Sequence, residues 1–401
     1  MSQLIKSYLQ TKSLNDLRAE HGVRVHVKGH LATLAYDQFE AKNSDEIACH
    51  CRGMVIARED GADIDVTVPF EARILAFPFI RFFNYGHMNL VFEPMAVYEK
   101  VDGTMIVCYF DSIKNVWRVA TRNVPDGSNV FGDHGMTFHM LFQRALMEQF
   151  GLTFKAFTDR LYSKVTYVFE LMTPMNQVVV KHDKFHICFL GARELDSGVE
   201  RLVRELDLYD RVPTPKNHIA DLLNHRGDFA GLEDKSLFEA LVIAANARDP
   251  QKHEGYVILG PGMQRLKIKS DAYVTFNKVH DLTKYDILGL ILDNTVDDFI
   301  PMMQDHHKVM VDDVSEKLSL WVTTINKVLA DFEWFKYGSR KDFAAYLIPQ
   351  KVLEPLQAHI FRAYAKNATI TEVQSVLIGM KGADDRYSDA SIRKIADWIS
   401  L

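Results

Sequence analysis

Glu99-Lys100-Val101-Asp102-Gly103-Thr104 is the stretch from which the fold is read. It sets a lysine at the entrance to a strand, with an aspartate and a glycine two and three residues later. Alone, such a run describes any surface lysine ahead of a turn. Its meaning comes from residues further along. His253-Glu254-Gly255-Tyr256-Val257-Ile258 leads into Leu266-Lys267-Ile268-Lys269-Ser270, where the two lysines project from one face of a strand while Leu266 and Ile268 face a core. Two ammonium groups on one face repel each other, so either that face is solvated or an anion such as a phosphate lies between them.

Two more stretches belong to the same pattern. Cys51-Arg52-Gly53-Met54-Val55 puts an arginine ahead of a strand-like run, and Tyr167-Val168-Phe169-Glu170-Leu171 holds one carboxylate inside an apolar strand. A buried carboxylate is costly without a partner. Glu170 is therefore read either as half of a structural salt bridge or as part of a site.

Outward from these motifs, residues 24–277 show short alternating or apolar runs (Met105 to Phe110, Val165 to Met172, Tyr256 to Leu259) with helical stretches at Thr137 to Phe150 and Lys235 to Asn246. This is the pattern of an α+β domain on antiparallel sheet. After Lys278 the spacing becomes helical: Leu318, Trp321, Val322, Ile325, Val328, Leu329 and Phe332 recur at three and four, and 352–365, 370–378 and 391–399 repeat the theme. An all-helical domain is expected over 278–401. Met1 to Leu17 reads as one amphipathic helix, with Leu4, Tyr8 and Leu9 on one face.

The 401 residues carry a net charge of −6, which argues against a protein that coats nucleic acid nonspecifically. Any nucleic-acid site must be a local basic groove. The helical region has 15 basic against 18 acidic residues, so it is no basic tail. No stretch approaches the roughly 20 apolar residues that span a bilayer, and a cytoplasmic protein without membrane contact is expected. The four cysteines are too few and scattered for a disulfide framework. Cys49-His50-Cys51 lacks the second ligand pair of a zinc site.

Taken in order, Arg-Gly, Lys-x-Asp-Gly, Phe-Glu, Glu-Gly-Tyr-Val and Lys-x-Lys resemble the covalent nucleotidyltransferases, the superfamily of polynucleotide ligases and capping enzymes. Within it the chain most resembles the bacteriophage RNA ligase 1 family, the tRNA-repair ligases of T-even phages. Cys51-Arg52-Gly53-Met54 carries the resemblance, with Phe169-Glu170-Leu171-Met172-Thr173-Pro174-Met175-Asn176-Gln177-Val178-Val179-Val180 and Glu254-Gly255-Tyr256-Val257-Ile258 ahead of Lys267-Ile268-Lys269-Ser270-Asp271.

The resemblance implies an antiparallel-sheet nucleotidyltransferase domain of ATP-grasp-like ligase type over 1–277, and an all-α domain over 278–401 that selects RNA. It implies a monomer that joins RNA 5'-phosphate and 3'-hydroxyl ends, as in a cleaved tRNA, through lysine-AMP and RNA-adenylate intermediates. ATP and Mg2+, or Mn2+ in its place, would be required. Lys100 would be the nucleophile, with Asp102 orienting or deprotonating it. Lys267 and Lys269 would hold the α-phosphate, Glu170 would accept from the ribose, and Glu99 would flank the adenine pocket. Arg52 would contact the nucleotide or the RNA 5'-phosphate, Glu254 would sit near the metal, and Arg122 would touch the leaving phosphates, although Ala120-Thr121-Arg122-Asn123 departs from the family pattern. A free lysine has a pKa of about 10.4, so Lys267, Lys269, the cation and burial are expected to lower that of Lys100. The alternatives are a DNA ligase or mRNA guanylyltransferase, told apart by nucleotide and acceptor, and a non-catalytic RNA-binding relative, which would lack the lysine or a carboxylate.

Overall fold

The computed structural model describes residues 2–37, 40–86, 92–131, 135–175, 178–201, 212–280, 282–300, 303, 305–330, 340–349, 380 and 387–401. The chain divides into two compact units, Met1–Val274 and Thr275–Leu401. In chain order the described strands are β1 (Val23–Lys28), β2 (Leu31–Tyr36), β3 (Arg52–Arg58), β4 (Ala72–Ala76), β5 (Phe83–Asn84), β6 (Ala96–Glu99), β7 (Thr104–Asp111), β8 (Val116–Ala120), β9 (Val130–Phe131), β10 (Met136–Thr137), β11 (Val165–Met172), β12 (His186–Glu194), β13 (Glu200–Arg201), β14 (Gly255–Leu259) and β15 (Arg265–Lys269).

Three sheets and the β9/β10 hairpin build the first unit. β1 to β4 pair in sequence, the central sheet runs β13-β12-β11-β7-β8, and the third runs β5-β15-β14-β6. All pairings are antiparallel except β15 with β5. Each sheet buries one face under helix. Ile5, Leu9, Leu14 and Leu17 pack on the first sheet, the helix Phe138–Phe150 on the second, and the helix Leu237–Ala247 on the third. The other face of the first sheet meets the central one through Val55, Leu75, Val107 and Tyr109, all essentially inaccessible. With apolar burial worth about 25 cal/mol per Å², these interlayer contacts add to the ladders with β8 and β11 in holding β7, and hence the start of the Lys-x-Asp-Gly strand, in place.

The N-terminal reading needs correction. Ser2–Leu9 and Leu14–His21 are two helices, because Ser13 accepts from the Asp16 amide while the Asp16 side chain accepts from that of Ser13. Such a capping box starts a new helix where the periodicity alone continues the old one. Leu4 lies on the exposed side and Ile5 takes the buried position.

The described regular elements of the second unit are helices, Lys284–Leu292, Val296–Phe299, Asp305–Ala330, Arg340–Leu347 and Asp389–Trp398. Ile287, Leu288, Val314, Trp321 and Ile395 form its core, with Trp321 stacked on Trp398 at 5.7 Å. The helices expected over 352–365 and 370–378, and Phe332, Asn176 and Gln177, lie outside the described residues. Among the described residues no helix is long and apolar enough to cross a membrane.

Gly255 opens β14 with φ at +143°, and a Cβ there would fall 2.0 Å from the Ile268 carbonyl oxygen. Only glycine lets β14 and β15 close at this point. Gly255→Ala should cost about 1–3 kcal/mol in backbone strain, and a thermal melt should show a Tm lowered by several degrees. An unchanged Tm would mean that the close approach is not a constraint.

Candidate active site

β6 ends at Glu99, and the Lys100 amide donates to the Gly255 carbonyl at 2.8 Å, so the lysine is fixed where β6 leaves the third sheet. The next two residues carry the chain across to the central sheet. Gly103 approaches β11 so closely that a Cβ would lie 2.5 Å from the Leu171 oxygen. The Asp102 carboxylate, 5 % exposed, accepts from Val179 N at 2.9 Å, Val180 N at 2.7 Å and the Tyr273 hydroxyl at 2.8 Å. His182 Nε2 stands 2.7 Å from the Asp102 carbonyl. With those partners the carboxylate works as a staple beneath the lysine loop. The expected orienting or deprotonating contact with Lys100 is not what its hydrogen bonds provide.

Above this loop lies a cavity of about 480 Å³, lined by Arg52, Glu99, Lys100, Arg122, Glu170, Lys267 and Lys269 together with Tyr36, Phe82 and Arg265. Seven of the expected site residues thus share one wall system, drawn from all three sheets. Glu254 is buried directly behind it at 3 % exposure and is bonded to two of them. Lys100 Nζ lies 2.6 Å from Glu254 Oε2 and Lys269 Nζ 2.7 Å from Oε1. Burial pushes the Glu254 carboxyl up, but the two ammonium groups outweigh it and hold it below the usual range.

This geometry overturns the expected depression of the Lys100 pKa. Burial does pull the amine down, yet Glu254, Glu170 and Asp102 outweigh it, and the pKa stands above the ordinary lysine value. The depressed lysine is Lys267. Desolvation comes first among the causes, then Lys269, Lys100 and Arg52, and the pKa falls to about 8. Leu266 and Ile268 are buried on the opposite face of β15, as the alternation requires.

Glu170 forms no ion pair among the described residues, so the structural salt bridge is not its role. Burial, opposed by Lys100 and Arg52 but reinforced by Glu254, raises its pKa to about 8. Glu99 is the opposite case. His218 lies 3.9 Å from Oε2, His253 Nδ1 2.7 Å from Oε1 and Arg248 3.2 Å from Oε1. These donors hold its pKa at about 2.

The arginines are ordered by aromatic rings. Arg52 lies 4.1 Å above Phe82 and donates to Met105 Sδ at 3.3 Å. Arg122 lies 4.4 Å from the Tyr36 ring centroid and Arg81 4.3 Å from the same ring, and Arg122 also donates to the Tyr36 carbonyl at 2.8 Å. Arg265 stacks on Phe79 at 4.3 Å and is bound by the buried Glu200, which also takes Arg193 at 3.1 Å. Tyr36, Arg81, Phe82 and Arg265 are not among the residues expected from the sequence, although Arg81-Phe82-Phe83 sets a cation directly before two aromatic rings. The histidines left there as structural include three, His182, His218 and His253, that touch site residues.

No cluster of three or more His, Cys, Asp or Glu among the described residues forms a metal cage. Glu254, expected near a metal, has both oxygens committed to lysines, so it does not offer a free ligand in this arrangement.

A family model described as RNA ligase matches residues 50–273. The RNA ligase of Rhodothermus phage RM378 is 24% identical over 310 residues, covering 65% of this chain and 67% of that protein. Among solved structures, an archaeal ATP-dependent RNA ligase (form 1) is 15% identical, covers 80% of this chain and 82% of that one, and superposes with a TM-score of 0.40. The Naegleria gruberi RNA ligase with PPi is 16% identical, covers 46% and 51%, and has a TM-score of 0.30. The family match takes in more than half of the chain and every motif from Arg52 to Lys269, and the chain belongs to the phage RNA ligase family.

Proposed function

We propose that this RNA ligase uses ATP: Lys100 attacks the α-phosphorus and expels pyrophosphate, the AMP passes from the lysine to an RNA 5'-phosphate, and a 3'-hydroxyl attacks that phosphate and expels AMP to seal the strand. One observation carries the reading: Lys100 lines the cavity beside Lys267 and Lys269, and its ammonium is held by a carboxylate that it shares with Lys269. A lysine can attack phosphorus only as the free amine. Glu254 Oε2, 2.6 Å away, is the group placed to hold the departing proton. An arriving triphosphate gives Lys269 an alternative anion, which frees that carboxylate. Lys267 and Lys269 then clamp the α-phosphate, and preorganised charge of this kind usually contributes more to such catalysis than any other single effect. Glu170, neutral below its pKa of about 8, offers the ribose a carboxyl that both donates and accepts.

A divalent cation, Mg2+ or Mn2+, neutralises phosphate charge when bound. Once Lys269 turns to the triphosphate, Glu254 Oε1 would be the carboxylate oxygen left to hold the ion, in keeping with the preference of Mg2+ for carboxylate and phosphate oxygens. Arg52 and Arg122 remain for the nucleotide or the RNA 5'-phosphate. The second unit, expected to be all-helical throughout, would select a structured RNA such as a cleaved tRNA, working as a monomer in the host-cell cytoplasm.

Incubation with labelled ATP and a divalent cation should leave covalent AMP on the wild type and none on Lys100→Ala or Lys100→Arg, since a guanidinium is not deprotonated at usable pH. Label on either variant would remove Lys100 as the nucleophile. Lys267→Ala should slow labelling by about 10²-fold, the scale of one lost preorganised donor, and an unchanged rate would return the lysine pair to a solvated face.

The pH dependence has a definite sign. As pH rises through about 8, Lys267 loses its positive charge and Glu170 gains a negative one. Both changes oppose a polyphosphate, so the affinity for a non-reacting ATP analogue should fall there, and the double variant Lys267→Arg/Glu170→Gln should flatten the decline. A wild-type affinity that rises through this range would contradict the assignment.

A chain ending near Lys278 should still form the adduct and join generic single strands while losing its preference for a broken tRNA over an unstructured oligonucleotide. Equal preference in the two proteins would reject a selection role for the second unit.

A further inference from the structure

The residues after Val178-Val179-Val180 read Lys181-His182-Asp183-Lys184, and none of the roles above uses them. The run Val179 to His182 is fastened to the lysine loop at three points. Val179 N and Val180 N both donate to Asp102 Oδ2, and His182 Nε2 lies 2.7 Å from the Asp102 carbonyl. Lys181 therefore sits between two residues tethered to the backbone two positions beyond Lys100. Its side chain is exposed, as is that of Lys184. At the extended-chain limit Lys184 is about 14 Å at most from Val180, a span of a few phosphates along one strand.

Their surroundings differ from those of most exposed lysines in the first unit. Other exposed lysines of the first unit commonly meet a neighbouring carboxylate, as Lys12 meets Glu20, Lys155 Asp159, Lys164 Asp196 and Lys252 Asp249. Lys181 and Lys184 flank Asp183, yet neither has an ion-pair partner among the described residues. His186 stacks edge-on to His182 at 5.5 Å, and burial holds its pKa below the usual histidine value, so it adds no charge at neutral pH. Lys42 and Lys114 are likewise exposed and without an ion pair among the described residues, but of these four only Lys181 and Lys184 follow backbone tethered to the lysine loop. They have no evident structural purpose.

We infer that the 181–184 segment is a contact for the phosphate backbone of the RNA whose end is being joined, an inference that rests on the ligase reading of the adjacent site. Phosphate contacts of this kind set register and carry no base preference. Lys181 and Lys184 would each displace a condensed counterion, which makes the contact readable through its salt dependence.

The test is direct binding of a 5'-phosphorylated single-stranded RNA, followed by fluorescence anisotropy over a salt series. Lys181→Ala/Lys184→Ala should weaken binding for every base sequence tried and lower the slope of log affinity against log salt by about 0.7 per lysine removed. Lys181→Arg/Lys184→Arg should restore the slope. Covalent labelling by ATP should be unchanged in both variants. An unaltered salt slope in the alanine variant would overturn the inference, as would lost labelling with RNA binding intact. A wild-type protein that fails to label with ATP would instead defeat the ligase reading, while the binding slopes still decide whether the segment meets phosphate.

Discussion

The buried carboxylate of Glu254, shared between Lys100 and Lys269, is the interaction on which the rest of the site depends. Taking a carboxylate out of water costs several kcal/mol, and one ammonium in good geometry roughly offsets this. Glu254 has two. Glu254 is what lets Lys267 remain nearby, because without it three lysines would face one another across one cavity. Even with it, Lys267 is deprived of compensation, and its pKa falls to about 8. Removal of the carboxylate would leave the cluster with uncompensated positive charge, so the same residue sustains the fold of this corner and sets the resting protonation of the candidate nucleophile.

That electrostatic arrangement needs a backbone held to a few tenths of an ångström. Gly255 and Gly103 permit two close approaches that no side chain allows, one against Ile268 and one against Leu171. Asp102 joins them by binding 179–180 and Tyr273 simultaneously. The Lys-x-Asp-Gly motif is therefore mainly a device for crossing from the third sheet to the central one while pointing its lysine into the gap. The aspartate does its work through backbone amides and a tyrosine hydroxyl beneath the loop.

Much of this was legible in the sequence because it rests on short-range periodicity. The alternation in Leu266-Lys267-Ile268-Lys269 identified a strand with both lysines on the cavity face, and the apolar frame around Glu170 identified a carboxylate inside a sheet. What was not legible depends on pairing between distant segments. Nothing in Glu254-Gly255 reveals that the glutamate is shared between Lys100 and Lys269, so the Lys100 pKa was expected to fall and instead rises. The cluster of Arg81, Tyr36 and Arg122 joins three separate parts of the chain, and no local pattern announces such a cluster. The break between the two N-terminal helices is hidden for a different reason. There the signal was local, a serine three residues ahead of an aspartate, and amphipathic spacing across it concealed the cap.

The shifts of Glu170 and Lys267 have a common origin that bears on how the site would respond to a ligand. Glu170 and Lys267 are each driven toward the neutral form by burial, although they carry opposite charges when ionised. Burial disfavours either ion alone. It favours them together with a counter-charge, and a polyphosphate supplies one for Lys267 while a ribose hydroxyl needs none from Glu170. In the reading proposed here the resting site is thus biased against its own charges until an anion arrives. The arrival that recharges Lys267 also competes for Lys269 and loosens the hold of Glu254 on Lys100. Binding and activation would then be one electrostatic event, with no separate base required beyond the carboxylate already in contact with the nucleophile.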